Sequence, residues 1–228
     1  MGTVTSVDEI PSRRGARPWP PICTAFEILL VYAGILYYIW RWQFTYPRAW
    51  MTLAAAVLLS HFAHRDTFRS LGLARTGLRP TAGIVLPLVL ALYIPLVVYG
   101  FAHRSLVFLR PNSRALMSLL GYTVWCLVQQ YLTQSYFHNR LMSVVSNRHV
   151  SSLVVGFMFG SAHLPNPILM VATTLGGFIF AEIFALHRNI WPLALAQAVG
   201  GFLLAAISPA SLIHNMRVGP GYFFFGLH

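Results

Sequence analysis

Apolar residues in this chain fall into long blocks, and polar, arginine-bearing connections separate them. A block near 20 residues is the length that crosses a bilayer as a helix. The blocks predict helices over 22–40, 48–63, 82–102, 114–140, 149–163, 167–186 and 190–207. Pro165 and Pro167 in "HLPNP" stop the fifth helix, because neither can donate the backbone hydrogen bond that would continue it. Pro87 and Pro95 lie inside the third, where neighbouring helices can satisfy the freed carbonyls. Residues 64–80 carry Arg65, Arg69, Arg75 and Arg79 and read as an interfacial amphipathic piece ended by Pro80. The expected architecture is an all-α, polytopic transmembrane bundle of about seven helices. A polar tail covers 1–19, one membrane domain covers 20–210, and an aromatic tail suited to the interface covers 211–228.

Composition strengthens this reading. Of 228 residues, 57% are hydrophobic and 9% charged, where a soluble domain carries about a quarter charged residues. The tail has no short apolar core before a small-residue cleavage site, so it is not a signal peptide. "MGTVTS" fits the myristoylation pattern, but a polytopic protein needs no lipid anchor. All sixteen basic residues are arginine, and the net charge is +11. With the N-terminus in the cytoplasm, ten arginines fall in inside segments and six in outside ones. That asymmetry supports a cytoplasmic N-terminus, and in a bacterium the cytoplasmic membrane. The arginines are spread over short loops rather than gathered in a patch, which argues against a nucleic-acid partner. Cys23 and Cys126 sit in apolar surroundings and imply no disulfide framework.

Polarity inside the blocks is the feature that needs explaining. In "TVWCLVQQYLTQSYFHNRLM", Gln130, Gln134 and His138 are spaced i, i+4, i+8, with Gln129 and Thr133 in the adjacent row. Residues four apart stack on one face of an α-helix. Such amides can join helices, each contributing about 0.6–2 kcal/mol, or they can wall a polar cavity. The cluster of five favours the cavity. His163 lies in "GFMFGSAHLPN" among small residues, and reads either as a hydrogen-bonded helix-end group or as part of that cavity. Glu182 in "GGFIFAEIFALHR" is an ionisable group inside a span, a functional candidate by default. It is also near enough to Arg188 to be an interfacial ion pair. Gln197 in "LALAQAVGGFLLA" fits either glue or cavity wall. Glu27, a turn or two into the first helix, has the plainer reading of an interfacial carboxylate. His138 and His163 lie on different helices with no third ligand placed beside them, so neither a metal nor another cofactor is expected.

These pieces, in this order, resemble the CPBP family of CAAX-protease and bacteriocin-processing (Abi) membrane proteins. That family carries Glu-Glu-x-x-x-Arg on one helix, Phe-x-x-x-His on the next, and His followed four residues later by Asn or Asp on a later one. The resemblance covers roughly 64–207 and includes "LGLARTG", similar to the family's "LGL" linker. The second motif is intact as Phe159-Gly-Ser-Ala-His163. The first is present by position only: "QQYLTQSYFHNRL" lies over "EExxxRGxxxxRL", with Gln129 and Gln130 at the glutamates and Gln134 at the arginine. In the third, "WPLALAQAVGG" places Gln197 at the histidine and Gly201 at the Asn or Asp.

The resemblance implies an intramembrane endopeptidase whose first glutamate, helped by histidine, activates water against a peptide bond. A glutamine cannot accept that proton, and losing such a base costs about 10²–10⁴-fold in rate. The replaced set is neutral but still polar, which fits a retained pocket with altered chemistry. Three readings follow. The first is a pseudo-protease binding a prenyl, lipid or membrane-peptide ligand through Gln129, Gln130, Gln134, His163 and Gln197, with Thr133, His138, Phe159, Tyr131 and Gly201 around them. The second is an active peptidase using Glu182 or His163 as base. The third is other isoprenoid chemistry, such as cyclisation, with Tyr131, Phe157 and Phe159 stabilising cations. The chain has no aspartate-rich diphosphate motif to support that third reading.

Overall fold

The computed structural model describes residues 19–106 and 112–224. The described residues are helical, with no strand among them. Helix α1 covers Pro21–Thr45 and includes a π turn over Tyr38–Trp42. It is followed by α2, Trp50–Ala63, and α3, Leu78–Ala102. Helix α4 runs as Ser113–Gln130, winds as a π-helix over Tyr131–His138 and returns to α over Asn139–Val144. Then come α5, Arg148–Ser161, α6, Pro167–His187, and α7, Trp191–Ile207. Two short helices, α8 (Ala210–Ile213) and α9 (Pro220–Phe223), end the described chain. Most of the polar N-terminal tail, Arg110 and residues 225–228 lie outside the described residues.

Each helix predicted from the hydrophobic blocks is present, with shifted ends. Helix α1 continues past residue 40, and α4 continues past 140. Helix α5 stops at Ser161, two residues before the predicted end at His163. Residues 64–77 form turns rather than the predicted amphipathic piece, and Pro80 terminates nothing. Pro80 sits in the first turn of α3, where a missing N–H leaves no intrahelical bond unmade. Short polar side chains start the later helices. Asn112 caps Ala115, Asn147 caps His149 and Val150, and Asn166 caps Leu169 ahead of Pro167.

The turn 64–77 folds back onto the end of α6. Gly77 has φ of +78°, and a Cβ there would collide with the backbone carbonyl of His187, so only glycine allows this approach. Helices α5 and α6 approach closely for the same reason: a Cβ on Gly156 would lie 2.7 Å from the Thr174 carbonyl oxygen, and one on Gly160 would collide with the Thr174 hydroxyl. Apolar packing falls into two clusters. Ile28, Val31, Val57, Tyr136, Phe137, Leu141, Val155 and Ala181 join α1, α2, α4, α5 and α6. Val85, Phe180, Ile183, Phe184, Ile190, Leu193 and Ala196 join α3, α6 and α7. The aromatic tail packs back by hydrogen bonds, from the Asn166 amide to the Ile213 carbonyl (2.8 Å) and from the Gly219 N–H to the Leu164 carbonyl (2.7 Å).

Three of the described helices, Pro21–Thr45, Leu78–Ala102 and Pro167–His187, are long and apolar enough to cross a membrane, and Trp191–Ile207 is a shorter apolar helix.

Candidate functional site

Gln129 and Gln130 are the last two α-helical residues of the first part of α4, and Gln197 faces them from α7. Their amides form one chain. Gln130 Nε2 donates to Gln197 Oε1 (2.6 Å), and Gln197 Nε2 donates to Gln129 Oε1 (2.6 Å). The positions that the resemblance matches to Glu, Glu and His are thus in mutual contact, as three neutral amides joined by two hydrogen bonds. Immediately afterwards the helix widens to the i→i+5 pattern over eight residues. π turns occur often at functional sites. The predicted α-helical stacking of 130, 134 and 138 is therefore modified by a π turn, but all three side chains are fully buried.

Gln134, at the position of the family's arginine, has no hydrogen-bond partner among the described residues for either amide atom. Thr133 uses its hydroxyl on the Gln129 carbonyl (2.7 Å), a bond within its own helix. His138 meets Ser152 of α5 through Nε2 (3.3 Å). Gly201 lies beneath Tyr122 of α4, whose hydroxyl would collide with any Cβ there. The room that an Asn or Asp side chain needs at this position is taken by a tyrosine.

The intact second motif is a unit of its own. The His163 Nδ1–H donates to the Phe159 carbonyl (2.8 Å), the Phe159 ring meets the imidazole edge-on with centroids 5.0 Å apart, and Thr173 Oγ1 lies 3.3 Å from Nδ1. That bond assigns the proton to Nδ1 and leaves Nε2 as the acceptor. Among the described residues, no hydrogen bond joins His163 to the glutamines. Glu182 pairs with Arg148 (3.3 Å) and His149 (3.1 Å), not with Arg188.

Two apolar cavities lie along α4. One, of about 560 Å³, is bounded by α3, α4 and α7 and lined by residues including Leu78, Thr123, Leu127, Trp191 and Leu195. The other, of about 250 Å³, is lined by Leu73, Leu127, Val128, Tyr131 and Ile190. Tyr131 is the one predicted binding residue in either lining; the glutamines are in neither.

The structure also assembles a cluster that sequence reading did not. Arg140, only 2% exposed, sits between two carboxylates. Its Nη2 donates to Asp66 Oδ2 (2.7 Å) and Ser60 Oγ (2.9 Å), and its Nε lies 3.4 Å from Glu27 Oε1. His61 Nδ1 meets Asp66 at 2.8 Å, His64 Nε2 meets Glu27 at 2.9 Å, and the Tyr136 hydroxyl donates to Glu27 at 2.9 Å. Burial alone would raise the Asp66 pKa, but the bonds from His61 and Arg140 outweigh it and hold the carboxyl at about 2. Glu27 and Asp66 are two of only five acids in the chain, and that scarcity is the signal that could have found the cluster. Among the described residues, no group of three or more His, Cys, Asp or Glu side chains is placed to hold a metal ion.

Residues 110–203 match the family model described as type II CAAX prenyl endopeptidase Rce1-like. No curated protein and no solved structure matches the chain. The match spans Gln129 to Gln134, Phe159 to His163 and Gln197 to Gly201, and "LGLARTG" lies before its start. Over this stretch the chain is similar to that family, in agreement with the resemblance in motif order. Together with the apolar helices, the match makes it an integral membrane protein.

Proposed function

We propose that this chain is a non-proteolytic relative of the CAAX proteases that holds a prenyl, lipid or membrane-peptide ligand against a polar intramembrane wall. The amide chain Gln130–Gln197–Gln129 carries the reading. A water-activating base must change protonation near the working pH, and no member of this chain titrates. The amides retain what binding needs: donors and acceptors, of which Gln130 Oε1 and both Gln134 amide atoms are still unpartnered among the described residues. Tyr122 over Gly201 adds a fifth change in the same direction, after the four glutamines. In this reading all seven long helices cross the bilayer as the domain 20–210, and the N-terminus is cytoplasmic by the arginine asymmetry.

The test uses the full chain in lipid nanodiscs, offered a prenylated CAAX peptide and a leader peptide. The expected result is no cleavage, together with a co-purifying lipid or peptide that Gln130→Leu loses. Ligand content unaltered in Gln130→Leu overturns the proposal. The intact Phe159–His163 unit favours one other reading, an active peptidase. Cleavage that disappears in Glu182→Gln or His163→Ala establishes that reading instead.

A further inference from the structure

The larger apolar cavity is a groove open to the surroundings. Its walls include Leu78, Val124, Trp191 and Leu195, which are 39%, 61%, 46% and 59% exposed. Two lining side chains carry a polar atom, and both use it elsewhere. The Thr123 hydroxyl donates to the Leu119 carbonyl of its own helix (2.8 Å), and Trp191 Nε1 donates to the Leu73 carbonyl (3.2 Å). The groove therefore presents nothing to hydrogen-bond. A peptide laid in it would leave backbone N–H and carbonyl groups unpaired, which apolar surroundings do not tolerate. A hydrocarbon chain leaves nothing unpaired. The volume of about 560 Å³ falls in the range of about 300–1,000 Å³ that holds small ligands.

One rim of the groove is charged. Asn189, fully buried just before α7, donates its amide to the Ala74 carbonyl (2.8 Å) and the Thr76 carbonyl (3.2 Å). Arg75 lies between those two residues, and Arg79 follows Leu78 of the groove wall. The backbone that carries both arginines is thus tied to the start of α7, beside Trp191. Both arginines are exposed, and neither pairs with a carboxylate among the described residues. The described carboxylates are engaged elsewhere, Glu27 and Asp66 with Arg140 and Glu182 with Arg148. A fixed pair of free guanidiniums at the head of an apolar groove complements a molecule with an anionic head and a hydrocarbon chain. A guanidinium also matches the geometry of a phosphate, to which it can give two parallel hydrogen bonds.

We infer that the groove between α3, α4 and α7 is a site for one anionic phospholipid of the surrounding bilayer. An acyl chain lies against Val124, Leu127, Trp191 and Leu195, and the phosphate meets Arg75 and Arg79. The smaller cavity shares Leu127 and carries the apolar lining on to Tyr131. No glutamine lines either cavity, so the site is separate from the amide wall of the proposed function. Each arginine near an anionic membrane surface strengthens binding about fivefold.

Native mass spectrometry of the full chain in detergent micelles, titrated separately with dioleoylphosphatidylglycerol and dioleoylphosphatidylcholine, tests this. The wild-type chain should bind one phosphatidylglycerol about fivefold or more tighter than phosphatidylcholine. Arg75→Gln with Arg79→Gln should reduce that preference to about twofold or less. Arg41→Gln with Arg48→Gln removes the same charge from exposed arginines that line no cavity, and should leave the preference intact. In nanodiscs, phosphatidylglycerol with a diazirine in its acyl chain should crosslink mainly to 123–127 and 191–195. Equal wild-type affinity for the two lipids overturns the inference, as does equal loss of preference in the two double variants. Crosslinks spread evenly over the exposed apolar helices overturn it as well, and so does a second copy of the chain captured at the groove. The affinity ratio and the crosslink map need only the wild-type chain, so they decide the matter even if a variant fails to fold. Gln130→Leu, which tests the proposed function, should leave the phosphatidylglycerol preference unchanged, so the two readings can fail independently.

Discussion

Replacing Arg140 by methionine removes a guanidinium that two carboxylates share. The Arg140 and Asp66 side chains are 3% and 1% exposed, and Glu27 is 19% exposed. Arg140→Met keeps an unbranched apolar stem near the Tyr136 ring, over which the guanidinium lies at 5.5 Å. It takes away the bonds to Asp66, Ser60 and Glu27. Asp66 retains His61, and Glu27 retains His64, Ser60 and Tyr136. Removing one partner of a buried pair costs about 3–5 kcal/mol, because the remaining charge stays desolvated. For a chain of this size each kcal/mol lowers the unfolding midpoint by about 2–4 °C, giving about 6–20 °C in all.

Cys126 is a convenient reporter, since it is fully buried while Cys23 is exposed. In a Cys23→Ser background, a thiol-reactive dye reads unfolding through Cys126 alone. Adding Asp66→Leu and Glu27→Leu to Arg140→Met removes the carboxylates that lost the guanidinium and should recover more than half of the loss, because apolar residues of similar volume substitute well for buried ions. A midpoint within about 1 °C of wild type for Arg140→Met refutes the reasoning, since that is the scale of a neutral surface substitution.

Acid should act through Asp66. Its folded pKa is depressed to about 2 from an unfolded value near 3.8, so its contribution is fully present above pH 4 and is lost as pH falls toward 2. The amount is about 2–3 kcal/mol, and the acid limb of a stability–pH profile should flatten in Asp66→Asn. Gly160→Ala should lower stability by about 1–3 kcal/mol in the same dye assay, because its Cβ meets Thr174 and separates α5 from α6. Gly160→Ala combined with Thr174→Ser should not recover it, because the Thr174 hydroxyl is the colliding atom and the Met170 carbonyl lies 3.0 Å from the same Cβ. Gln197→Leu leaves Gln129 Oε1 and Gln130 Nε2 without their partner and should cost about 1–3 kcal/mol. Gln129→Leu with Gln130→Leu and Gln197→Leu should cost less than Gln197→Leu alone, and a strictly additive triple variant argues against the chain of amides.

Helix order was legible in this sequence because each apolar block is long enough to state its own structure. The three glutamines were legible as polarity out of place. Their mutual bonding was not, since Gln197 is 67 residues from Gln130 and nothing in either local pattern identifies the partner. The Arg140 cluster was hidden more deeply. Its bonds to Asp66 and Glu27 span 74 and 113 residues, and each carboxylate read separately looks like an ordinary interfacial acid. The π turn was invisible, because spacing of i, i+4, i+8 looks the same until the backbone adopts i→i+5 bonds. What the structure adds to the motif comparison is that the replacements depend on one another. Gln197 serves both Gln129 and Gln130 with a donor and an acceptor at once, which a carboxylate pair could not reciprocate without a proton. Tyr122 fills the room above Gly201, so an Asn there requires that ring to move. Restoring a single glutamate would therefore put a charge beside an amide partner suited to neutrality. Under the proposed function, a charged set at these positions requires Gln129, Gln130 and Gln197 to change together and the Tyr122 ring to move from above Gly201, and that interdependence is what a polar wall built for neutral groups predicts.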